Sequence, residues 1–245
     1  MFGTLSAFFP AFAALVLTGA PEPSAAPKPA PSAKAKPAAP AKGAKPAAES
    51  PEDALVGKVQ AFYDQTKDFS GDFIQLYTRV ALSKTSESHG TMKMLKPGMM
   101  RWDYDKPDPK HFIADGKQLY VYDPEDQHVS IDPQFQLSDQ GSSLSFLWGQ
   151  GRLKNEFKVK LLPKKDGMPE GTELLELVPK KDATYTRLEL TVDTATGQVN
   201  ESTLFETTGN TNRFRFSNVK TNLGLKPEAF QFTPPPGAEV AVIRR

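Results

Sequence analysis

The chain contains no cysteine. That excludes a disulfide framework, a thiolate nucleophile, a cysteine-ligated zinc site and lipidation on an N-terminal cysteine. Histidine is nearly as scarce: His89, His111 and His128 fall in three different stretches with no HExxH or other paired spacing, so each reads as a strand or surface histidine. There is no GxSxG elbow, GxGxxG turn or Walker sequence, and Gly149-Gln150-Gly151 lacks the third glycine. Asp103, Asp105 and Asp108 resemble the start of a calcium loop, but Pro107 and Pro109 intrude and neither the turn glycine nor the closing glutamate follows. Glu173 and Glu176 have the spacing of ordinary strand-surface charges. No catalytic constellation remains. The expectation is a protein that is not an enzyme and needs neither metal nor cofactor.

An excess of charge of one sign is missing as well. The 245 residues carry 30 basic and 29 acidic side chains, but three unlike segments share them. Residues 1–20 have no charged side chain. Residues 21–51 hold nine of the 22 prolines, no aromatic, and a net +3. Residues 52–245 carry 25 basic and 27 acidic groups, a net −2. A body of that charge does not neutralise phosphates, which excludes a basic nucleic-acid binder. It is long enough to bury a sizeable core.

Long hydrophobic runs are absent too. The longest, Phe8–Leu17, is ten residues, followed by small residues up to Ala20. That suits the apolar region of a secretory signal and falls short of the roughly 18–20 residues needed to span a bilayer. We expect residues 1–20 to be a signal peptide, with an uncleaved membrane anchor as the rival. Residues 21–51, rich in Pro, Ala and Lys, cannot bury apolar surface and are expected to form a disordered, partly polyproline-extended linker with a reach of about 90 Å.

The 52–245 body opens with a helix start: Ser50 as N-cap, Pro51 at the first helical position, then Glu52 and Asp53. Leu55, Val56, Val59, Phe62 and Tyr63 recur at helical spacing to about Lys67. From Phe69 the period becomes two. Strands are predicted near 69–81, 86–95, 99–104, 110–115, 117–123, 127–131, 155–162, 172–179, 184–193, 197–207 and 211–220. Phe157, Val159 and Leu161 oppose Lys158 and Lys160; Phe214 and Phe216 oppose Arg213 and Arg215. One wet face and one apolar face is what an antiparallel sheet requires. Asp115-Gly116, Thr196-Gly197 and Gly209-Asn210 mark turns. Local turns without interleaved helices predict a meander curled into a barrel.

The alternation breaks only at 133–154, where one or two short helices are expected, either as a plug that completes the core or as a lid hinged at Gly141, Gly149 and Gly151. Met92, Met94, Met99 and Met100 cluster beside Trp102. Flexible, polarizable methionine suits a wall that adapts to disordered chains, and it suits core filling equally.

The run Gly90-Thr91-Met92-Lys93-Met94-Leu95-Lys96-Pro97-Gly98-Met99-Met100-Arg101-Trp102-Asp103-Tyr104 leads into Lys106-Pro107-Asp108-Pro109, Ala114-Asp115-Gly116-Lys117 and Tyr120-Val121-Tyr122-Asp123-Pro124. With Asp68-Phe69-Ser70-Gly71-Asp72-Phe73 before and Phe230-Gln231-Phe232-Thr233-Pro234-Pro235-Pro236-Gly237 after, these motifs resemble the periplasmic outer-membrane lipoprotein carrier family, LolA, over about residues 52–240. The resemblance implies a mainly β fold: an unclosed antiparallel β-barrel of about eleven strands, an N-terminal helix and a short helical lid over a hydrophobic cavity. It implies a periplasmic chaperone that takes acyl chains of lipoproteins from an ATP-driven inner-membrane transporter and passes them to an outer-membrane receptor or the outer membrane itself. The carrier is expected to act as a monomer. A lipid-binding sensor or regulatory domain of the same fold is the alternative, and a lipid hydrolase the enzymatic rival. By the resemblance, Met92, Met94, Met100 and Trp102 would contact acyl chains, and Leu144, Phe146, Leu147 and Trp148 would belong to the lid. Lys96 stands where the family has an arginine that latches the lid, and lysine lacks the planar five-donor fork.

Overall fold

A computed structural model of the chain describes residues 50–135 and 152–243. The expected signal peptide, the linker up to residue 49, and Leu144, Phe146, Leu147 and Trp148 lie outside the described residues.

The first helix begins where its capping residues put it. Ser50 keeps an extended backbone and its hydroxyl accepts from the Asp53 N–H at 3.2 Å. Pro51 fills a position whose N–H would have no helical partner, and Glu52 and Asp53 sit at the positive end of the helix dipole. The helix, α1 (Pro51–Gln65), buries Leu55, Val56, Val59 and Tyr63. It stops at Thr66, which turns both its N–H and its hydroxyl back onto the Phe62 carbonyl.

Strands follow as the period of two requires: β1 (Asp68–Arg79), β2 (Lys84–Leu95), β3 (Met99–Lys106), β4 (Lys110–Asp115), β5 (Leu119–Asp123) and β6 (His128–Asp132). After the one-turn helix α2 (Leu153–Glu156) come β7 (Phe157–Leu162), β8 (Thr172–Pro179), β9 (Tyr185–Asp193), β10 (Val199–Glu206), β11 (Thr211–Thr221) and β12 (Glu239–Val242). They form one sheet in the order β12-β6-β5-β4-β3-β2-β1-β11-β10-β9-β8-β7, which does not close. Every pairing is antiparallel except β12 on β6.

The expected mainly β, unclosed barrel is therefore what forms, and each of the eleven predicted strands is present. β12 is a twelfth. Its four residues are all exposed, so no alternation announces it, and it exists because the preceding segment brings it alongside β6. The predicted starts of β5 and β10 shift to Leu119 and Val199 because Gly116 and Gly197 hold left-handed turn conformations (φ +89° and +84°). Of the predicted helical stretch 133–154, the described part contains the start of α2 at Leu153.

Two meanders, β1–β6 and β7–β11, meet at one seam where β11 lies against β1. The start of that seam is tied by Asp68, which is buried. Its carboxylate accepts from the Leu223, Gly224 and Leu225 N–H groups at 2.7, 3.0 and 3.3 Å, and its carbonyl from Asn222 N–H at 2.8 Å. The chain beyond the seam then crosses to the other side of the sheet. Phe230 is fully buried at a 3₁₀ turn (Pro227–Phe230) against β3 and β4. Phe232 joins Ile113, Tyr120 and Val129 in a second, smaller core. Both faces of β4 are thus covered, which is why Phe112, Ile113 and Ala114 are buried consecutively.

Replacing Asp68 by Ala would strand three backbone donors that rehydrate only in part. The expected loss is about 2 kcal/mol of unfolding free energy in urea. Asp72→Ala, which removes only a surface bond to Asn218, should cost less than about 1 kcal/mol. Equal effects of the two would remove Asp68 from its role at the seam.

Candidate functional site: an apolar hollow in the half-pipe

The concave face is filled unevenly. α1 lies over the β7–β10 side, where Leu55, Val56 and Val59 join Phe157, Leu175, Leu177, Leu188, Leu190 and Val192 in the main core. Its contact with the β9–β10 turn is close. Lys58 Nζ donates to the Thr194 carbonyl at 2.7 Å, and a Cβ on Gly197 would fall 2.4 Å from the Lys58 carbonyl oxygen. Among the described residues no such helix covers the β1–β3 side, and where α1 stops at Thr66 a hollow remains.

This hollow is narrow, with a cavity volume of about 20 Å³. Phe62 and Tyr63 reach it from the last turn of α1, and Phe69 from β1. Met92 and Met94 come from β2, Trp102 from β3, Val199 from β10, and Phe216, Val219 and Thr221 from β11. The lining is almost wholly hydrocarbon and aromatic carbon. The Tyr63 hydroxyl takes the Val199 N–H at 3.4 Å, and burial pushes its phenol well above the ordinary value, so it stays neutral. A wall without charge and with little polar surface offers little orientation to a polar ligand and suits alkyl chains.

Two glycines shape the wall by close approach. Gly90 faces Phe73 across the β1–β2 pair, and a Cβ there would lie 2.2 Å from the Asp103 carbonyl oxygen and 2.7 Å from the Phe73 ring. Its absence lets Phe73 lie down against the sheet, with its centroid 4.8 Å from both Trp102 and Tyr104 and 5.9 Å from Phe214. These contacts fix the Trp102 ring at the back of the hollow. Gly71 sits at a β-bulge: Ser70 pairs with Lys220 and Asp72 with Ser217, so β11 carries one extra residue there. Asn218 takes a left-handed conformation (φ 52°) and donates to Asp72 Oδ2 at 2.7 Å. The bulge re-aims Val219 into the wall beside Gly71, where a Cβ would meet Val219 Cγ2 at 3.0 Å and Met92 Cε at 3.3 Å.

Of the residues predicted to contact acyl chains, the structure brings Met92, Met94 and Trp102 together on the hollow. Met100 is opposite Met94 in the β2–β3 pairing and fully buried in the core, behind the lining. Sequence reasoning missed Phe62, Tyr63, Phe69, Val199, Val219 and Thr221. The alternation of Phe214 and Phe216 was visible, but only the β1–β11 pairing shows that this face meets Met92 and Trp102. Lys96, at the β2–β3 turn, donates from Nζ to the Tyr63 carbonyl in the last turn of α1. A cation suits that negative helix end. Burial pulls the ammonium below its ordinary value, and the Asp64 carboxylate partly opposes that.

The remaining candidates are structural. His89 Nε2 meets Glu87 Oε1 at 2.9 Å, His111 Nδ1 meets Asp103 Oδ1 at 2.6 Å, and His128 Nε2 meets Ser130 Oγ at 3.2 Å. Burial alone would raise the Asp103 carboxyl, but hydrogen bonds from His111 and Arg101 hold it below its ordinary value. Glu173 and Glu176 form ion pairs with Lys164 and Arg187. Among the described residues no group of three or more His, Asp or Glu could hold a metal ion, and no helix is long and apolar enough to cross a membrane.

Comparison with known proteins gives a consistent result. Residues 64–233 match the family model described as outer membrane lipoprotein carrier protein LolA. An outer-membrane lipoprotein carrier protein of Dechloromonas aromatica is 30% identical over 186 residues, 76% of this chain and 86% of that one. Its counterpart in Cupriavidus pinatubonensis is 32% identical over 191 residues, 76% and 87% of the respective chains. Among solved structures, an uncharacterized conserved protein from Thermus thermophilus overlays with a TM-score of 0.48 at 14% identity, covering 77% of this chain and 97% of that one.

Lys96→Met should loosen the end of α1 and lower stability by about 1 kcal/mol in urea unfolding. Lys96→Arg should restore most of that. An unchanged midpoint in the Met variant would show that the tie to Tyr63 carries no weight.

Proposed function

The chain belongs to the LolA family of outer membrane lipoprotein carrier proteins, and from that premise we propose that it carries the acyl chains of lipoproteins across the periplasm in the hollow between α1 and β1–β3. The observation that carries this reading is the hollow's lining: three of the four residues proposed to contact acyl chains, Met92, Met94 and Trp102, converge there. Met100 backs them. In this reading residues 1–20 are a signal peptide that directs export, and residues 21–51 are a Pro/Ala/Lys-rich linker ahead of the carrier domain. An ATP-driven inner-membrane transporter loads the cargo, and the outer membrane or a receptor there accepts it. No bond is made or broken by this chain.

Magnitudes favour a carrier of intermediate affinity. An acyl chain of about 15 methylenes costs roughly 12 kcal/mol to expose to water, at about 0.8 kcal/mol each. Three chains cost roughly 36 kcal/mol, well above the 18–21 kcal/mol or so at which non-covalent affinity saturates. The hollow, at about 20 Å³, is far smaller than the roughly 300–1,000 Å³ of ligand pockets, so even one acyl chain requires the interior to open. In the proposed mechanism Phe62 and Tyr63 move with the last turn of α1, Lys96 resists that movement, and residues 133–154 form the lid. The opening cost then lowers affinity enough for release to an acceptor that holds the chains better.

Purified protein is expected to bind triacylated lipoprotein one to one, and more than about a hundredfold more tightly than the deacylated form, as calorimetry would read. Equal affinity for the two forms would refute the carrier reading. Gly71→Ala should press Val219 and Met92 into the hollow and weaken a fluorescent alkyl probe several-fold, at a stability cost of about 1–2 kcal/mol. Unchanged probe affinity would place the binding site elsewhere.

A further inference from the structure

Of the five large hydrophobic side chains most exposed among the described residues, the most exposed, Leu82 at 63%, shares one 3₁₀ turn at the tip of the β1–β2 hairpin with Val80, at 55%, while Leu223, Val240 and Val242 lie elsewhere. That hairpin projects. β2 pairs with β3 only from His89 onward, so residues 84–88 extend about 17 Å beyond their β3 neighbour. On the other side β11 accompanies β1 only to Thr78, and Asn210 Oδ1 accepts the Val80 N–H at 3.2 Å. Among the described residues the tip is thus buttressed along one flank and has no paired strand on the other.

Its charges are alike. Arg79 and Lys84 are cross-strand partners on the last rung, so two cations stand opposite each other on one face of the sheet. The Arg79 guanidinium lies over the Tyr77 ring, 5.9 Å from its centroid. Residues 79–85 contain no acid, so the end of the hairpin is cationic. Two apolar side chains at the very end with two cations just behind them match the cross-section of an anionic bilayer surface, hydrocarbon below and phosphate above.

We propose that the β1–β2 hairpin tip docks on anionic lipid bilayers, with Val80 and Leu82 entering the acyl boundary and Arg79 and Lys84 straddling lipid phosphates. The tip lies at the far end of β1 from Phe69, about 34 Å away along the strand, so docking leaves the mouth of the hollow clear. The contact is therefore independent of the cargo reading and is tested without any lipoprotein.

Because the chain lacks cysteine, a single probe can be placed at will. An environment-sensitive fluorophore is attached to the full-length Ala81→Cys variant, and to Asp166→Cys on the exposed β7–β8 loop at the opposite end of the sheet. Each is mixed with phosphatidylglycerol or phosphatidylcholine vesicles. The tip probe should shift to the blue and resist iodide quenching on phosphatidylglycerol alone, while the Asp166 probe should not change. Adding Leu82→Asp should weaken the tip signal about tenfold or more, and Lys84→Glu several-fold, with cargo binding unaltered. Identical behaviour of the two probes would mean that the N-terminal segment alone brings the protein to lipid, and would overturn the proposal. So would an equal shift on phosphatidylcholine. A shift that appears only on vesicles bearing extracted membrane proteins would assign the tip to a protein partner instead.

Discussion

The structure depends on the pairing of β1 with β11, two strands separated by some 140 residues of chain. Each meander is assembled from local hairpins, but neither encloses anything by itself. Only when β11 returns to β1 do the two become one sheet curved around α1, with Asp68 gathering the backbone donors of residues 223–225 at the junction. The sheet's other limit is that β7 and β12 are its two edges and do not pair, so the sheet stays unclosed. A closed barrel of this size would hold its contents more firmly and would need far more disruption to release them.

From that geometry comes a division of labour across the concave face. The β7–β10 half is filled by the helix and is packed as an ordinary core of Leu and Val. The β1–β3 half is lined by Met and aromatic side chains and ends in a hollow at the point where α1 terminates. The end of α1 is set locally at Thr66, whose N–H and hydroxyl both turn back onto the Phe62 carbonyl.

The bulge at Gly71 and the contact of Lys96 with α1 both act at the mouth of the hollow. One positions Val219; the other restrains the turn that carries Phe62 and Tyr63. At the opposite end of the same strand, the hairpin tip collects exposed hydrocarbon and paired cations. A single β1 strand thus links a buried apolar site with a surface feature, and the rigidity of its two ladders keeps them at a fixed distance.

Much of this was legible in the chain itself. Strict alternation located the eleven long strands, the Ser50-Pro51 cap fixed the start of α1, and the absence of charge among Met92, Met94, Met100 and Trp102 marked an apolar wall. Such features are local, and a strand or a cap depends on residues a few positions away. β12 was not visible because its residues are exposed on every side and its pairing is made by a distant partner. The same holds for Val199, Val219 and Thr221, which line the hollow only because the β1–β11 seam and its bulge turn them there. Met100, indistinguishable in sequence from Met92 and Met94, is buried in the core one strand away from its rung partner Met94, which does line the hollow. Periodicity determined which residues would be apolar and on which face; the tertiary fold alone decided which of them pack against each other and which border empty space, since a void belongs to elements that meet from opposite ends of the chain.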